Sequence, residues 1–358
     1  MNNLENLTIV IPTYKRARFI RRTMSYWSEK PPSIIVLDGS LHSLDKEFLS
    51  SLGSNIKYFH YPKLVYQKRL KKVHQLVSTK YCMLHADDEF FLPSGLSECI
   101  KEIELHDLVC CLGRCLEFDY KDSRINAQPW LPLHTPFDGY SLLDERPFVR
   151  IAKHMHPYLC STIYAVTKTD VFLNNITLEL ENNLENFFFE LSYEICSAFQ
   201  GKSKVINTLS WLRSNENAPF YVKDQEKGVR PLEPYEMILK CDFVKSHVIN
   251  DLSMYLNSIN KEYSIDLLRE IIFSSLRSYA YQANLTFQIA YLFQNNKIEN
   301  SGEKIALKKL IGGAREIIFK DKDKSLGNTS NLWRKIGVKS YPNEINEVEK
   351  LILDLHEN

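Results

Sequence analysis

An acidic run, His85-Ala86-Asp87-Asp88-Glu89, follows directly on the apolar tetrapeptide Tyr81–Leu84. Adjacent carboxylates at the end of a buried strand can hold Mg2+ or Mn2+, ions that prefer hard oxygen ligands. An ion held there would neutralise charge on a diphosphate leaving group. The plainer alternative is a helix start rich in acids, which the helix dipole favours. Lys63, Lys68, Arg69, Lys71 and Lys72 give a second feature, a basic face on one predicted helix. Such a face is ordinarily just solvated. Arg69, with Lys15 or Arg16 near the N-terminus, is the candidate for meeting a phosphate.

The elements that must position these groups alternate. Residues 7–11 (LTIVI), 33–37 (SIIVL), 55–60 (NIKYFH) and 81–84 (YCML) read as strands, with helical stretches at 18–29, 64–78 and 93–103 between and after them. Short β-branched runs alternating with helices predict an α/β fold, a mostly parallel, Rossmann-like sheet flanked by helices. Ligands bind at the carboxyl ends of such strands. Thr13, Asp38, Asp87 and Asp88 all fall there. Further along, 108–115, 161–166 and 203–211 read as strands, 185–200 as a helix and 118–157 as loops over the cleft. After about residue 230 helical periodicity takes over, placing a boundary near Pro231 and Pro234. The expected units are 1–230 and a C-terminal helical domain with its tail, 231–358.

Composition narrows the classes. Lys and Arg total 45 against 44 Asp and Glu, a formal net charge of +1 over 358 residues. That balance argues against a general nucleic-acid binder. The eight cysteines form no CxxC pair, so a zinc site has weak support, and free thiols in a reducing cytoplasm are the simplest expectation. Neither a secretory leader nor a long apolar span is read from the chain, which leaves peripheral contact with the inner membrane face as the only membrane role expected. No Walker, GxGxxG or GxSxG pattern occurs.

The order IVIPTYKR, IIVLDGS, basic helix, YCMLHADDEF resembles the GT-A fold glycosyltransferases, family 2 in particular, over roughly residues 5–215. The resemblance implies a transferase that moves a sugar from a nucleotide-sugar to an acceptor hydroxyl, with inversion, on a glycan or lipid-linked acceptor of a bacterial surface polymer. It implies that Thr13 and Asp38 contact the nucleotide base. Arg69, sixteen residues before His85, would face the diphosphate or base, and Asp87 would ligate Mn2+ or Mg2+ with Asp88 in support. His85 stands where the family has the first Asp of its DXD motif, and is read as structural in preference to a ligand. LDGS lacks the family's Asp doublet.

An inverting transferase needs a carboxylate to take the acceptor's proton. The resemblance places it about eleven residues before a Gly, which here is Glu190 before Gly201, in NFFFELSYEICSAFQGK. Glu185 and Glu194 are the alternatives, and a solvated helix acid is the commoner fate of any Glu. Arg213 follows the next strand where the family sets a diphosphate-holding cation. Tyr120, Trp130, Phe137, Tyr140 and Tyr158 can stack on sugar, although core filling explains each singly. His154 and His156 lack metal-ligand spacing. The rivals are a sugar nucleotidyltransferase, whose Gly-rich first loop is missing from IPTYKRARF, and a non-catalytic nucleotide- or glycan-binding assembly protein. The helical domain is expected to pack on the sheet domain, and it also offers a surface for a homo-oligomer.

Overall fold

Residues 3–129, 140–155, 162–177, 185–216, 248–294, 325–335 and 337–357 are described by the computed structural model. Strand β1 (Leu7–Thr13) shows how the sheet is built. Successive strand side chains point to opposite faces. Leu7, Ile9 and Ile11 enter one apolar cluster and Val10 enters another on the far face. β2 (Ser33–Asp38) and β4 (Tyr81–Leu84) divide in the same way. Both faces are buried, which is why these strands read as unbroken apolar runs.

The sheet adds β3 (Ile56–His60), β5 (Phe90–Phe91), β6 (Cys110–Lys121), β7 (Arg124–Pro129), β8 (Ser141–Leu142), β9 (Val166–Lys168) and β10 (Ser203–Ser214). Its order is β3-β2-β1-β4-β9-β6-β10-β5, with β7 beside β6 and β8 beside β10. The pairings set β3, β2, β1, β4, β6 and β10 in one direction and β5, β7, β8 and β9 against them. The chain builds outward from β1 through β2 to β3, then returns to add β4 on β1's other side. The β1–β4 junction is therefore a topological switch point, where a crevice opens at the strands' carboxyl ends.

Helices α1 (Ala17–Trp27) and α4 (Pro93–His106) cover one face, and α3 (Tyr66–Lys71), α6 (Thr169–Thr177) and α7 (Glu185–Gln200) the other. A five-residue helix, α2 (Lys46–Ser50), begins on the Asp45 carboxylate. Phe188 and Phe189 of α7 make sense by position. Phe188, Leu191 and Ile195 face a third cluster formed with α5 (Pro147–Met155), α8 (Ile249–Ile259) and the first part of α9 (Ile265–Gln294), while Phe189 and Tyr193 face the sheet. A helix apolar on two sides is buried on two sides.

The α/β architecture with a C-terminal helical stretch is thus present. The boundary expected at Pro231 and Pro234 lies outside the described residues. Among the described residues no helix is long and apolar enough to cross a membrane. Some local expectations need correction. Part of 118–157 is not loop: β6 runs on to Lys121 and turns back as β7 through Asp122 and Ser123, both at positive φ. That is the primed two-residue turn whose twist suits a hairpin. The strand expected at 161–166 is a 3-10 turn, Thr162–Tyr164, followed by the short β9.

The last two helices, α10 (Leu326–Lys335) and α11 (Pro342–Glu357), return to the sheet domain, where Trp333, Ile345, Val348 and Ile352 join its core. Between them Lys339 forms a parallel bridge with Thr208 of β10. Glu344 accepts hydrogen bonds from Ser94 N and Ser94 Oγ, at 3.1 and 2.5 Å, and so caps the start of α4. Glu344→Ala is expected to lower the unfolding free energy by about 1–2 kcal/mol, read by urea titration. An unchanged midpoint would mean that this cap does not hold α11 to the sheet domain.

Candidate functional site

Thr13 ends β1 at the switch point, and its hydroxyl donates to Asp87 Oδ2, just past the end of β4, at 2.7 Å. Arg16 Nη1 donates to Asp87 Oδ1 at 3.0 Å and to Asp88 Oδ2 at 3.2 Å. The turn bearing the two carboxylates is tied down from behind. The Thr23 hydroxyl donates to the Asp87 carbonyl, and Arg22 Nη2 to that of Asp88, both at 2.8 Å. Arg22 is itself held by Glu216, at 3.0 and 2.7 Å, and Glu216 accepts from His356 at 2.6 Å.

His85 is fully buried. Its Nε2 accepts from Trp27 Nε1 at 3.1 Å, which puts the ring proton on Nδ1 and lets it donate to the Ala86 carbonyl at 2.5 Å. Burial pushes the imidazole down to about 4. Both ring nitrogens are therefore engaged, and the neutral ring anchors the acidic turn as a structural group.

Glu89 is buried beside the pair, accepting from Trp211 Nε1 at 2.6 Å. Burial first, then the Asp88 charge, push its carboxyl up to about 8 against the pull of Arg213 and Trp211. Asp87 is pushed up to about 6 by burial and by Asp88, with Arg16 and Thr13 opposing. For Arg16, burial works against the charge, but Asp87 and Asp88 outweigh it and hold the guanidinium above its ordinary value.

The other expected donor-site residues fall around this centre. Asp38 ends β2, where its carboxylate accepts from Ser40 N at 2.7 Å and from the Tyr58 hydroxyl at 2.5 Å. Arg69 is buried and not turned outward: Nη1 donates to the carbonyl of Thr13 at 2.8 Å and to that of Leu37. It braces the ends of β1 and β2. Gly39 makes room for it, since a Cβ there would stand 2.7 Å from Arg69 Cζ. Lys63, Lys68 and Lys72 of the same basic run are exposed, so that run is a solvated face with one inward exception. Arg213, on β10, lies 3.5 Å from Glu117 and within electrostatic reach of Glu89.

Glu190 is half-buried on α7. Its charge is felt by the phenols of Tyr66, Tyr164 and Tyr279. Tyr164 is equally within reach of Glu89 and Asp88, and its ring packs on Trp211 at 5.1 Å. Tyr164 thus lies within electrostatic reach of both Glu190 and the acidic turn, and Tyr279 of α9 lies within reach of Glu190.

Glu194, the alternative base, is fully buried as a structural hub that accepts from His154 Nε2 at 2.7 Å, Ile163 N at 3.0 Å and the Thr162 hydroxyl. Tyr140 bonds the other nitrogen of His154, and Tyr120 stacks on His356 at 4.0 Å, so both rings have partners within the protein. Trp130, Phe137, Tyr158, His156 and the side chain of Glu185 lie outside the described residues.

The sequence reading passed over Arg22, Glu89 and Glu216. Glu89 was visible in the acidic run. Arg22 and Glu216 carried no signal, because their pairing depends on a contact across the whole domain.

The fit of a divalent ion follows from these contacts. Asp87 and Asp88 supply oxygen donors of the right kind, but Asp87 has one oxygen on Thr13 and the other on Arg16, and His85 is unavailable. Among the described residues no group of three His, Cys, Asp or Glu forms a metal-holding cluster. As arranged, Arg16 bridges the two carboxylates, and the pair does not fit a divalent ion between them.

No protein-family model matches this chain, and no curated protein matches its sequence. Solved structures of S. aureus TarS are similar to it. TarS 1–349 in complex with UDP-GlcNAc is 11% identical, over 76% of this chain and 72% of that one, with a TM-score of 0.49. TarS 1–349 in complex with UDP is 13% identical, over 76% and 89%, with a TM-score of 0.41. Likeness at this level gives no basis for transferring a residue's role or a substrate.

The Glu89 carboxyl sets a pH dependence. Its unfolded value is 4.5 and its folded value about 8. Between them only the folded state keeps the proton, so stability falls as pH rises through that window. In Glu89→Gln the fall above about pH 6.5 should largely disappear, since Asp87 ends near 6 and His85, pushed down to about 4, works in the opposite sense below its ordinary 6.5. Melting temperatures of both proteins from about pH 5 to about pH 8 test this; parallel curves would assign the proton to another group.

Proposed function

We propose that this chain transfers a glycosyl group from a nucleotide-sugar to an acceptor hydroxyl. What carries the reading is the Thr13–Asp87 hydrogen bond at the β1–β4 switch point, which ties the ends of β1 and β4 together beside Asp38 at the end of β2, with Tyr164 within electrostatic reach of both Glu190 and the acidic turn. Crevices of this kind take nucleotides. In this reading the base lies toward Thr13 and Asp38, and the diphosphate lies across the mouth, facing the positive charge that Asp87 and Asp88 hold in place. Arg213 approaches from β10. Arg69 acts from within, fixing the strand ends that shape the pocket.

Glu190 is the general base. The acceptor oxygen attacks the anomeric carbon while its proton passes to the Glu190 carboxylate. The bond from that carbon to the phosphate oxygen breaks, and the electron pair leaves with the nucleoside diphosphate. Attack from the face opposite the leaving group inverts the anomeric centre. Within the helical stretch 231–358, α8 and α9 are proposed as the accessory part that walls the acceptor side through Tyr279, whose phenol burial and Glu190 together push up to about 12, while α10 and α11 pack on the sheet domain.

A panel of nucleotide-sugars, scored for hydrolysis and transfer, should identify a donor, and the matching nucleoside diphosphate should raise the melting temperature. Glu190→Gln should lower kcat by about 10²–10⁴ with donor binding retained, the range of a lost general base. Asp87→Ala should lose donor binding. Full turnover by Glu190→Gln would remove it as the base, and indifference to every nucleoside diphosphate would end the transferase reading.

A further inference from the structure

We infer that Arg16 is the resident cation of the Asp87–Asp88 pair, so that a guanidinium stands where a divalent metal ion would otherwise sit. The part of this that concerns the diphosphate rests on the proposed transferase reading; the part that concerns the cation does not. One nitrogen, Nη1, reaches a carboxylate oxygen of each aspartate, at 3.0 and 3.2 Å. Both lie within hydrogen-bond range, at its long end, between groups of opposite charge whose burial strengthens the attraction.

The pair cannot readily rearrange to admit an ion beside Arg16. Thr13 holds the second oxygen of Asp87, and Thr23, Arg22 and His85 hold the turn's backbone. Arg16 is aimed from its own side as well. Lys15 adopts a left-handed φ of 58°, uncommon for a residue with a side chain, and its amide donates to Ser40 Oγ at 2.8 Å. Ser40 in turn donates its amide to Asp38, so the bend that delivers Arg16 is fastened to the end of β2.

Exposure separates the partners. The Arg16 side chain is 25% exposed, and those of Asp87 and Asp88 are 6% and 9%. A ligand arriving from solvent therefore meets the guanidinium before the carboxylates. Lys15, exposed beside it, brings the formal charge of the four groups to zero, two negative and two positive. A diphosphate would dock on the fork of Arg16, which matches phosphate geometry, while the aspartates keep that fork in place.

The test is Mn2+ titration of the full chain followed by the EPR signal of the free ion, without nucleotide. Wild type should leave Mn2+ free at concentrations where Arg16→Ala takes it up, with at least about tenfold tighter binding in the variant. Arg16→Gln serves the same comparison if the alanine variant fails to fold. Adding Asp87→Asn to the Arg16 variant should abolish the gained uptake. Wild type binding Mn2+ as tightly as the variant, or uptake that survives Asp87→Asn, overturns the inference. Calorimetry with UDP and GDP adds the diphosphate arm: wild type should bind one of them equally in EDTA and in Mn2+, and Arg16→Ala only in Mn2+. A wild type that needs Mn2+ to bind counts against Arg16 as the cation. Failure of every nucleotide in every condition counts against the transferase reading alone, because the Mn2+ comparison still decides Arg16.

Discussion

Two paired parallel strands meet at the centre of this sheet, and a hydroxyl ties the end of one to the turn that follows the other. Thr13 at the tip of β1 reaches Asp87 just beyond the tip of β4. A carboxylate this deeply buried is costly unless it is paired or hydrogen-bonded. The Thr13 hydroxyl and the guanidinium in front meet that requirement, while Thr23 and Arg22 behind and the imidazole hold the backbone of the turn. The same constraint explains why Glu89, with an indole N–H as its partner, keeps its proton well above the ordinary carboxylate range.

Much of the sheet could be read from residue order, because its physics is local. A strand buried on both faces has to be apolar at every position, and LTIVI, SIIVL and YCML announce this without reference to anything distant. The acidic turn was legible for a related reason: polar residues that end an apolar strand mark its carboxyl end. The hairpin at Asp122 and Ser123 was also within reach, since a two-residue polar turn between strand-like runs signals one, but the aromatics and prolines after it hid the pattern.

The partners of each charge were not legible. The basic run from Lys63 to Lys72 suggested a phosphate-facing Arg69, yet that side chain turns inward to two strand carbonyls, into space that a glycine just past the end of β2, at position 39, leaves open. Glu194 looked as available as Glu190. They lie one helical turn apart, so they share a face, but Glu194 is enclosed by α5 and the Thr162 turn while Glu190 reaches the aromatic wall. Periodicity assigns a face to a residue; it does not say which neighbouring element encloses it.

The bonds that run from His356 to Glu216, on to Arg22 and then to the carbonyl of Asp88 bear on how the molecule assembles. They join positions separated by 140, 194 and 66 residues. Contacts of such long sequence separation carry the entropy of closing large loops before they return any stabilisation. The β1–β4 sheet can form early from nearby segments, but the shell behind its acidic turn must wait for the chain's far helix to arrive. A nascent or partly folded molecule would therefore possess the carboxylates without their support, and competence would come late in folding, after the core has already condensed.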